Sequence, residues 1–287
     1  MRIAITGTTG RVGRALADHL AARHEVIELP RSAFDLGNPG CVALLADLDF
    51  DVLLNPAGLT NLEQCEDNPS LAQRLNTQAP GEIAAACRAR GKKVLHFSTD
   101  YVFDGREPGL RREDEVPSPL SVYGRTKQAG EDRVLAEEGT VIRVSWVFGP
   151  EKPAFPDQIL ERALTGEELS AVADKFSLPA HTPDIAEWVE AWIEAGAPAG
   201  IYHACNSGPV TSWHGIATEI VAFLRKRTGK DIPEVKALLL DDMTVFRAPR
   251  PRHTAMATNR LETLLGHPPR DWREALHRHL ESRLLSR

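Results

Sequence analysis

The fold is decided by the stretch Ile3-Ala4-Ile5-Thr6-Gly7-Thr8-Thr9-Gly10-Arg11-Val12-Gly13, in which a short apolar run leads into a turn with three glycines. The glycine spacing predicts a tight turn, close approach of backbone to a pyrophosphate, and packing of a helix on a strand. The N-terminus of that helix would offer free N–H groups and the positive end of its dipole to phosphates. The alternative is a glycine-rich turn without a ligand. We predict a dinucleotide site at Gly7, Thr9, Gly10, Arg11, Val12 and Gly13.

The same alternation of apolar runs and helical patterns continues through the first half of the chain. Val12, Leu16 and Leu20 fall on one stripe of the first predicted helix, as in an amphipathic helix. Alternating strands and helices predict a parallel sheet, and nearly continuous apolar runs predict strands buried on both faces. The predicted strands are 3–6, 26–29, 52–55, 94–98 and 141–145. The predicted helices are 11–23, 39–48, 70–90 and 120–138. Pro80 is expected to break the helix over 70–90 into two pieces.

This rhythm changes near residue 150, where Pro150, Pro153 and Pro156 mark a loop or linker. Beyond it the pattern predicts helices 155–164, 183–195, 213–226 and 272–285, and strands 169–173 and 200–204. We therefore predict an α/β protein with a Rossmann-type doubly wound parallel sheet and a smaller C-terminal substrate-binding domain. The NADP-binding domain would comprise residues 1–148, with 169–204 returning to it, and the substrate-binding domain 149–168 and 205–287.

Composition excludes several classes of function. The chain has 287 residues, and its 34 basic and 40 acidic side chains give a net charge of -6. The chain shows no basic face, so no nucleic-acid partner is predicted. It also has no run of about 20 apolar residues, so no membrane partner is predicted. The N-terminal apolar run ends at Gly7, too early for a signal peptide. Four scattered cysteines favour a reducing cytoplasm, and His203 with Cys205 lacks the second ligand pair of a zinc site, so no metal is predicted.

A candidate acid–base pair lies in Ser121-Val122-Tyr123-Gly124-Arg125-Thr126-Lys127. Tyr123 and Lys127 are four residues apart and share one face of a predicted helix. A free phenol titrates near ~10, and a neighbouring ammonium lowers that value. The pair would then serve as an acid–base unit near neutral pH. The alternative is an ordinary solvated helix face.

The end of the second strand predicts the choice of cofactor. An acid at this place would hold a ribose 2′-hydroxyl, and an arginine would hold a 2′-phosphate. Arg31 and Ser32 follow the strand, whereas Glu28 lies too early. We therefore predict NADPH over the alternative NADH, with Asp35 and Leu36 beside the adenine. Otherwise Arg31 is a solvated loop charge.

Polar and small residues follow the next strands. Asn55, Ala57 and Gly58 form a turn that allows close backbone approach to the cofactor or is an ordinary turn. Thr99 ends the fourth strand, where open α/β sheets bind ligands, and would donate a hydrogen bond to a substrate carbonyl beside Tyr123. A simple strand-end turn uses the same residue types. Trp146 reaches the same edge and would line a sugar or base pocket, unless it is a core tryptophan.

Together these stretches resemble the extended short-chain dehydrogenases/reductases, and more closely the dTDP-4-dehydrorhamnose reductases and their sugar-nucleotide-binding relatives. The supporting motifs span almost the whole chain in the family's order: GTTGRVG, HFSTDYVFDG, SVYGRTKQAGE, RVSWVFG, GIYHACNSG with TSW, and APRPRHTAM. The resemblance implies catalytic Thr99, Tyr123 and Lys127, with Asn76 near the site. It also implies substrate contacts on the sugar side from Asp100, Tyr101, Trp146, Phe155 and Arg252.

The implied reaction is hydride transfer from NADPH to the C4 ketone of a nucleotide-linked 4-keto-6-deoxy sugar. Tyr123 would protonate the developing alkoxide, while Lys127 would lower the phenol pKa and hold the nicotinamide ribose. A homodimer is a further expectation from the resemblance.

The second half departs from the family pattern. Asp174-Lys175-Phe176-Ser177-Leu178-Pro179-Ala180-His181 stands where D-Q-x-G-x-P-T is usual, and Pro153-Ala154-Phe155 where an Asn-Phe pair is common. Thr254 and Met256 replace a usual Ser and Leu. These departures concern the choice of sugar and nucleotide. Two other readings stay open: an NAD-dependent nucleotide-sugar epimerase or dehydratase, in which Asp100 would be the acid, and a non-catalytic cofactor-binding regulatory subunit. A purely structural Rossmann domain is the third.

Overall fold

A parallel sheet of six strands forms the centre of the computed structural model, which describes residues 1–286. The strands are β1 (Arg2–Thr6), β2 (Glu25–Leu29), β3 (Val52–Asn55), β4 (Lys93–Thr99), β5 (Thr140–Val144) and β10 (Gly200–Ala204). They lie in the order β2-β1-β3-β4-β5-β10, and every neighbouring pair is parallel. The chain moves outward from β1 to β2 and then crosses to the other side of β1. The carboxyl ends of β1 and β3 therefore flank the switch point where open α/β sheets bind ligands, and the predicted doubly wound sheet is confirmed.

Helices cover both faces of this sheet. They are α1 (Arg11–Leu20), α4 (Ala79–Ala89), α5 (Val122–Ala136) and α7 (Thr182–Glu194), whereas α2 (Leu62–Asp67) and α3 (Pro69–Gln73) pack on α5. Successive strand residues face opposite layers: Ile3 and Ile5 join the core under α1 and α7, and Ala4 joins the core under α4 and α5. The helix predicted over 39–48 is a 3₁₀ turn, Cys41–Ala46.

The helical run predicted to break at Pro80 continues through it. α3 passes into a π turn (Arg74–Gln78), which passes into α4 with Pro80 in its first turn. Proline has no N–H for the carbonyl four residues earlier, which is that of Asn76, and the wider π turn accommodates this loss. The Asn76 carbonyl faces α5, since a Cβ on Gly130 would lie 2.1 Å from its oxygen. The expected break was wrong because the π turn replaced it.

The second half adds three small two-stranded sheets. β6 (Val147–Phe148) pairs with β9 (Ala180–His181), β7 (Leu169–Val172) with β12 (Val235–Leu238), and β8 (Phe176–Ser177) with β11 (Thr211–Ser212). The remaining helices are α6 (Phe155–Thr165), α8 (Trp213–Thr228), α9 (Asn259–Leu265) and α10 (Trp272–Leu285). Within the segment predicted to return to the sheet, α7 packs on α1 and β10 joins the sheet, whereas β7 pairs with β12 outside it. The domain boundaries stay a prediction.

No helix within residues 1–286 is long and apolar enough to cross a membrane. Within the same residues, no group of three or more His, Cys, Asp or Glu side chains is placed to hold a metal ion.

Candidate active site

A cleft of about 680 Å³ lies at the carboxyl edge of the sheet. The turn after β1, the loop after β3, the end of β4 and the start of α5 form its walls. Most of the residues singled out in the sequence line it: Gly7, Thr9, Gly10, Arg11, Val12, Gly13, Arg31, Asp35, Leu36, Ala57, Gly58, Thr99, Asp100, Tyr101, Tyr123, Lys127 and Trp146. Five others do not: Ser32, Asn55, Asn76, Phe155 and Arg252.

The glycine-rich turn has the shape that a pyrophosphate requires. Gly7 has a φ of +58°, which side chains other than glycine rarely adopt. A Cβ on Gly13 would lie 2.3 Å from the Gly7 carbonyl oxygen, so only glycine lets α1 pack this closely. Gly10 is the N-cap of α1, and no side chain caps the helix there. The first N–H groups of α1 therefore remain available to an anion.

At the end of β2, Arg31 faces the cleft, whereas the carboxylate of Glu28 is bonded elsewhere in the protein. Arg31 is exposed on the cleft, with its Nε 3.5 Å from Asp35 Oδ1. The Glu28 carboxylate accepts two hydrogen bonds of 3.1 Å from Arg14, which hold its pKa below its usual value. Glu28 is thus occupied away from a ribose hydroxyl. Ser32 is exposed and lies outside the cleft wall.

Two buried asparagines lie behind the cleft and hold its walls. Asn76 accepts a 2.8 Å bond from the Leu59 N–H and donates a 2.9 Å bond to the Leu59 carbonyl. Asn55 Oδ1 accepts a 2.7 Å bond from Thr6 Oγ1, and Asn55 Nδ2 lies 3.0 Å from His96 Nδ1. Neither lines the cleft to which the sequence assigned both. Both side-chain amides instead bond neighbouring protein groups and stabilise the loop that carries Ala57 and Gly58.

Thr99, Tyr123 and Lys127 meet in the middle of the cleft. Ser121 caps α5 by accepting a 3.1 Å bond from the Gly124 N–H, and this cap begins the helix just before Tyr123. Thr99 lies at the end of β4, close enough to Tyr123 for its hydroxyl to act on the pKa of the phenol. Lys127 Nζ donates to the Phe97 carbonyl and lies 3.0 Å from His96 Nε2.

The protonation of this set differs from the sequence expectation. Burial raises the pKa of Tyr123, and the nearby Thr99 hydroxyl only partly opposes this effect. Burial lowers the pKa of Lys127 to about 8, and also holds the pKa of His96 well below its usual value, with Lys127 as a second cause. The predicted lowering of the Tyr123 pKa by Lys127 is therefore wrong for this arrangement. The physical reason is that the ammonium points toward His96 and Phe97 in a fully buried site.

Asp100 is the centre of a buried hydroxyl cluster and is only 2% exposed. Its Oδ2 accepts hydrogen bonds from Ser145 at 2.9 Å, from Ser177 at 3.3 Å and from Thr254. Its Oδ1 accepts a 3.2 Å bond from Thr99. Asp100 therefore orients Thr99 more directly than it offers a charge to a ligand.

Trp146 joins this cleft to a smaller, almost wholly apolar pocket of about 320 Å³. Phe155 lines that second pocket, and its ring lies 6.0 Å from that of Trp213. Trp146 in turn lies 5.7 Å from Trp213, between centroids. Arg252 lines neither cavity, because its guanidinium pairs with Asp174 and Asp241. Its predicted substrate contact stays a prediction.

Sequence reasoning missed two buried basic side chains, His96 and Lys175. His96 stands alone as a polar residue inside the apolar run of β4, and such a residue needs a buried partner. Lys175 lies in the segment that departs from the family pattern and is completely buried. Its Nζ lies 4.8 Å from the centre of the Tyr101 ring and 5.5 Å from that of Trp146.

Comparison with known proteins agrees with this geometry. A dTDP-4-dehydrorhamnose reductase of Mycolicibacterium smegmatis is 35% identical over 96% of this chain and 84% of its own. A probable dTDP-4,6-dihydroxy-2-methyloxan-3-one 4-ketoreductase of Streptomyces antibioticus is also 35% identical, over 96% of this chain and 93% of its own. The crystal structure of a Bacillus anthracis dTDP-4-dehydrorhamnose reductase in complex with NADP superposes with a TM-score of 0.89 at 26% identity, over 98% of this chain and 99% of that one. The family model described as RmlD substrate binding domain matches residues 1–284, and the chain belongs to that family.

Proposed function

We propose that this chain is an NADPH-dependent reductase of a nucleotide-linked 4-keto-6-deoxy sugar, with dTDP-4-dehydrorhamnose as its substrate. One observation carries the proposal: Thr99, Tyr123 and Lys127 line the same cleft as the glycine-rich turn. A cleft that joins a dinucleotide turn to a buried phenol and ammonium suits hydride transfer coupled to protonation. Family membership and the names of the relatives support the same reaction.

The residues present fit the cofactor. The turn around Gly7 and Gly13 has no room for side chains, and the start of α1 offers its N–H groups to the pyrophosphate. Arg31 would hold a 2′-phosphate, while Glu28 is occupied by Arg14. The related enzyme from Bacillus anthracis was crystallised with NADP. When bound, NADPH supplies a hydride to the C4 carbon of the sugar.

The side chains of the cleft provide the proton and its alignment. Tyr123 has a raised pKa and keeps its proton at neutral pH, so it donates that proton to the alkoxide oxygen that develops at C4. Lys127 would hold the ribose next to the nicotinamide. Thr99 would donate its hydroxyl proton to the carbonyl oxygen in place of its present bond to Asp100.

The environment of Asp100 speaks against a dehydratase. A general acid needs a proton and access to the substrate, but the Asp100 carboxylate accepts hydrogen bonds from four hydroxyl groups. Its oxygens are therefore engaged within the protein, and the side chain is only 2% exposed. The complete set of Thr99, Tyr123 and Lys127 likewise favours an enzyme over a regulatory subunit.

The oxidation of NADPH tests the proposal. Its absorbance is followed with dTDP-4-dehydrorhamnose made enzymatically from dTDP-glucose. Tyr123→Phe removes only the phenolic hydroxyl, and we expect kcat to fall by about 100- to 10,000-fold while the NADPH Kd stays within about twofold. Near-normal turnover of the Phe variant would refute the assigned acid. Tight NADPH binding by the wild type without turnover of any 4-keto sugar nucleotide would refute the reductase.

A cytoplasmic location and a homodimer complete the proposal. The four cysteines are all buried and unpaired, as suits a reducing compartment. Static light scattering at several concentrations tests the dimer, and a monomer mass throughout would remove it.

A further inference from the structure

Lys175 is a buried cation behind the sugar side of the cleft. It directly precedes β8, and its side chain has no exposed surface. Its Nζ donates a 2.9 Å hydrogen bond to the Pro251 carbonyl, and the same ammonium lies against the rings of Tyr101 and Trp146. Both rings line the cleft. Lys175 itself does not, so any effect on a ligand must pass through those two rings.

Such burial is unfavourable unless the charge finds partners. Two aromatic faces attract a desolvated ammonium, and the Asp100 carboxylate favours its charged form. Burial nevertheless lowers the pKa of Lys175 to about 8, with Arg250 as a smaller cause in the same direction. The side chain is therefore mostly charged at neutral pH. A methionine of similar size would fill the same space without these costs.

The orientation of the Trp146 ring depends on its contact with Lys175 more than that of a typical tryptophan would. Its φ of +41° lies in the left-handed region, which is strained for a bulky residue. Its indole Nε1 is buried and has no hydrogen-bond partner within residues 1–286, although a buried indole N–H usually has one. The ring is thus oriented by packing against Trp213 and by the Lys175 charge.

We propose that Lys175 determines sugar specificity by positioning: its ammonium fixes the rings of Trp146 and Tyr101 that form the sugar side of the cleft. This inference rests on the proposed function, in which that side of the cleft receives the 4-keto-6-deoxy sugar. Lys175 touches neither sugar nor cofactor and is not a catalytic residue. The glycine-rich turn lies on the cofactor side, so NADPH binding should not depend on Lys175.

The test compares Lys175→Met, which removes the charge at similar volume, with Lys175→Arg, which keeps it. We expect the Met variant to raise the KM for the sugar nucleotide by about tenfold, a change of about 1.4 kcal/mol. It should also change the ratio of kcat/KM between two 4-keto-6-deoxy sugar nucleotides that differ at one stereocentre by at least about fivefold. The NADPH Kd should stay within about twofold, and Arg should restore most of the sugar affinity. Lys236→Met, at an exposed lysine of β12, is the matched control for loss of one charge.

Two further readouts keep the outcome decisive. Lys175→Gln retains an N–H donor for the Pro251 carbonyl and replaces the Met variant if that one does not fold. Equilibrium binding of dTDP-L-rhamnose, with tryptophan fluorescence as the signal, needs no turnover, so a failed reductase assay would overturn the proposed function without deciding on Lys175. A folded Met or Gln variant with wild-type sugar affinity, sugar selectivity and fluorescence would overturn the role of Lys175.

Discussion

Lys127→Met should greatly lower the activity of this protein without lowering its stability. Burial lowers the pKa of Lys127 from 10.5 to about 8. One pKa unit corresponds to about 1.4 kcal/mol, so keeping this ammonium buried at neutral pH costs about 3 kcal/mol of folding free energy. Methionine removes that cost but leaves the Phe97 carbonyl and His96 Nε2 without a donor, a loss of about 1–3 kcal/mol. Near pH 7 the variant should therefore be as stable as the wild type or up to about 2 kcal/mol more stable, while kcat falls at least about 100-fold.

The pH dependence gives the sharper measure. Between a folded pKa of about 8 and an unfolded pKa of 10.5, the unfolded chain binds more protons at Lys127 than the folded protein does. The free energy of unfolding of the wild type therefore rises with pH through this window, relative to the Met variant. The difference between the two should change by about 3 kcal/mol in favour of the wild type, and below pH 8 it should be nearly constant.

Urea unfolding at pH steps from 7 to 10.5 measures this difference directly. Other titrating groups, including the tyrosines, contribute to both proteins and cancel in the comparison. Lys236→Met, at an exposed position, should give a flat difference over the same range. A flat difference for Lys127→Met as well would refute the argument, because it would mean that the buried lysine keeps an ordinary pKa.

Three further changes test other parts of the molecule. Gly13→Ala places a Cβ 2.3 Å from a carbonyl oxygen of the glycine-rich turn, so we expect at least about a tenfold weaker NADPH Kd by fluorescence titration, whereas Gly40→Ala, where the nearest contact is 3.4 Å, should leave it unchanged. Arg143→Met leaves Glu131 buried without its ion pair and should cost about 3–5 kcal/mol of unfolding free energy in urea; a double variant with Glu131→Met that recovers nothing would contradict this explanation. Arg31→Ala should lower the ratio of kcat/KM for NADPH over NADH by about tenfold, and an unchanged ratio would show that Arg31 is only a solvated loop charge.

The sequence predicts the cofactor side of this protein well because its signals are local. A glycine spacing, a strand that precedes it and a helix that follows are all contained in residues 3–20, and β1 and α1 form there. Tyr123 and Lys127 are likewise placed by the period of a single helix. Where the residues concerned lie on a single element, their spacing in the sequence is sufficient to predict their relative positions.

Contacts between distant parts of the chain are what the sequence does not reveal. Arg252 is predicted to contact the substrate, and its ion pairs with Asp174 and Asp241 are visible only in the structure. The neighbours of Lys175 come from residues 101, 146 and 251, and no spacing along the chain reveals them. The pKa of Tyr123 has the same origin, because burial raises it and burial is a property of the whole fold.

The π turn at Arg74–Gln78 makes one part of the cleft depend on the rotational phase of a helix. Each residue of an α-helix advances the chain by about 100° around the axis. Deleting Thr77 or Gln78, which follow Asn76 in the turn, would restore regular α-helical spacing, but everything before the deletion would rotate by that angle relative to α4. Asn76 would then turn away from Leu59, although every side chain of the contact would still be present in the sequence. The position of the loop after β3 thus depends on the number of residues in the π turn as well as on their types. Single deletions in this segment would therefore reveal more than substitutions of its residues.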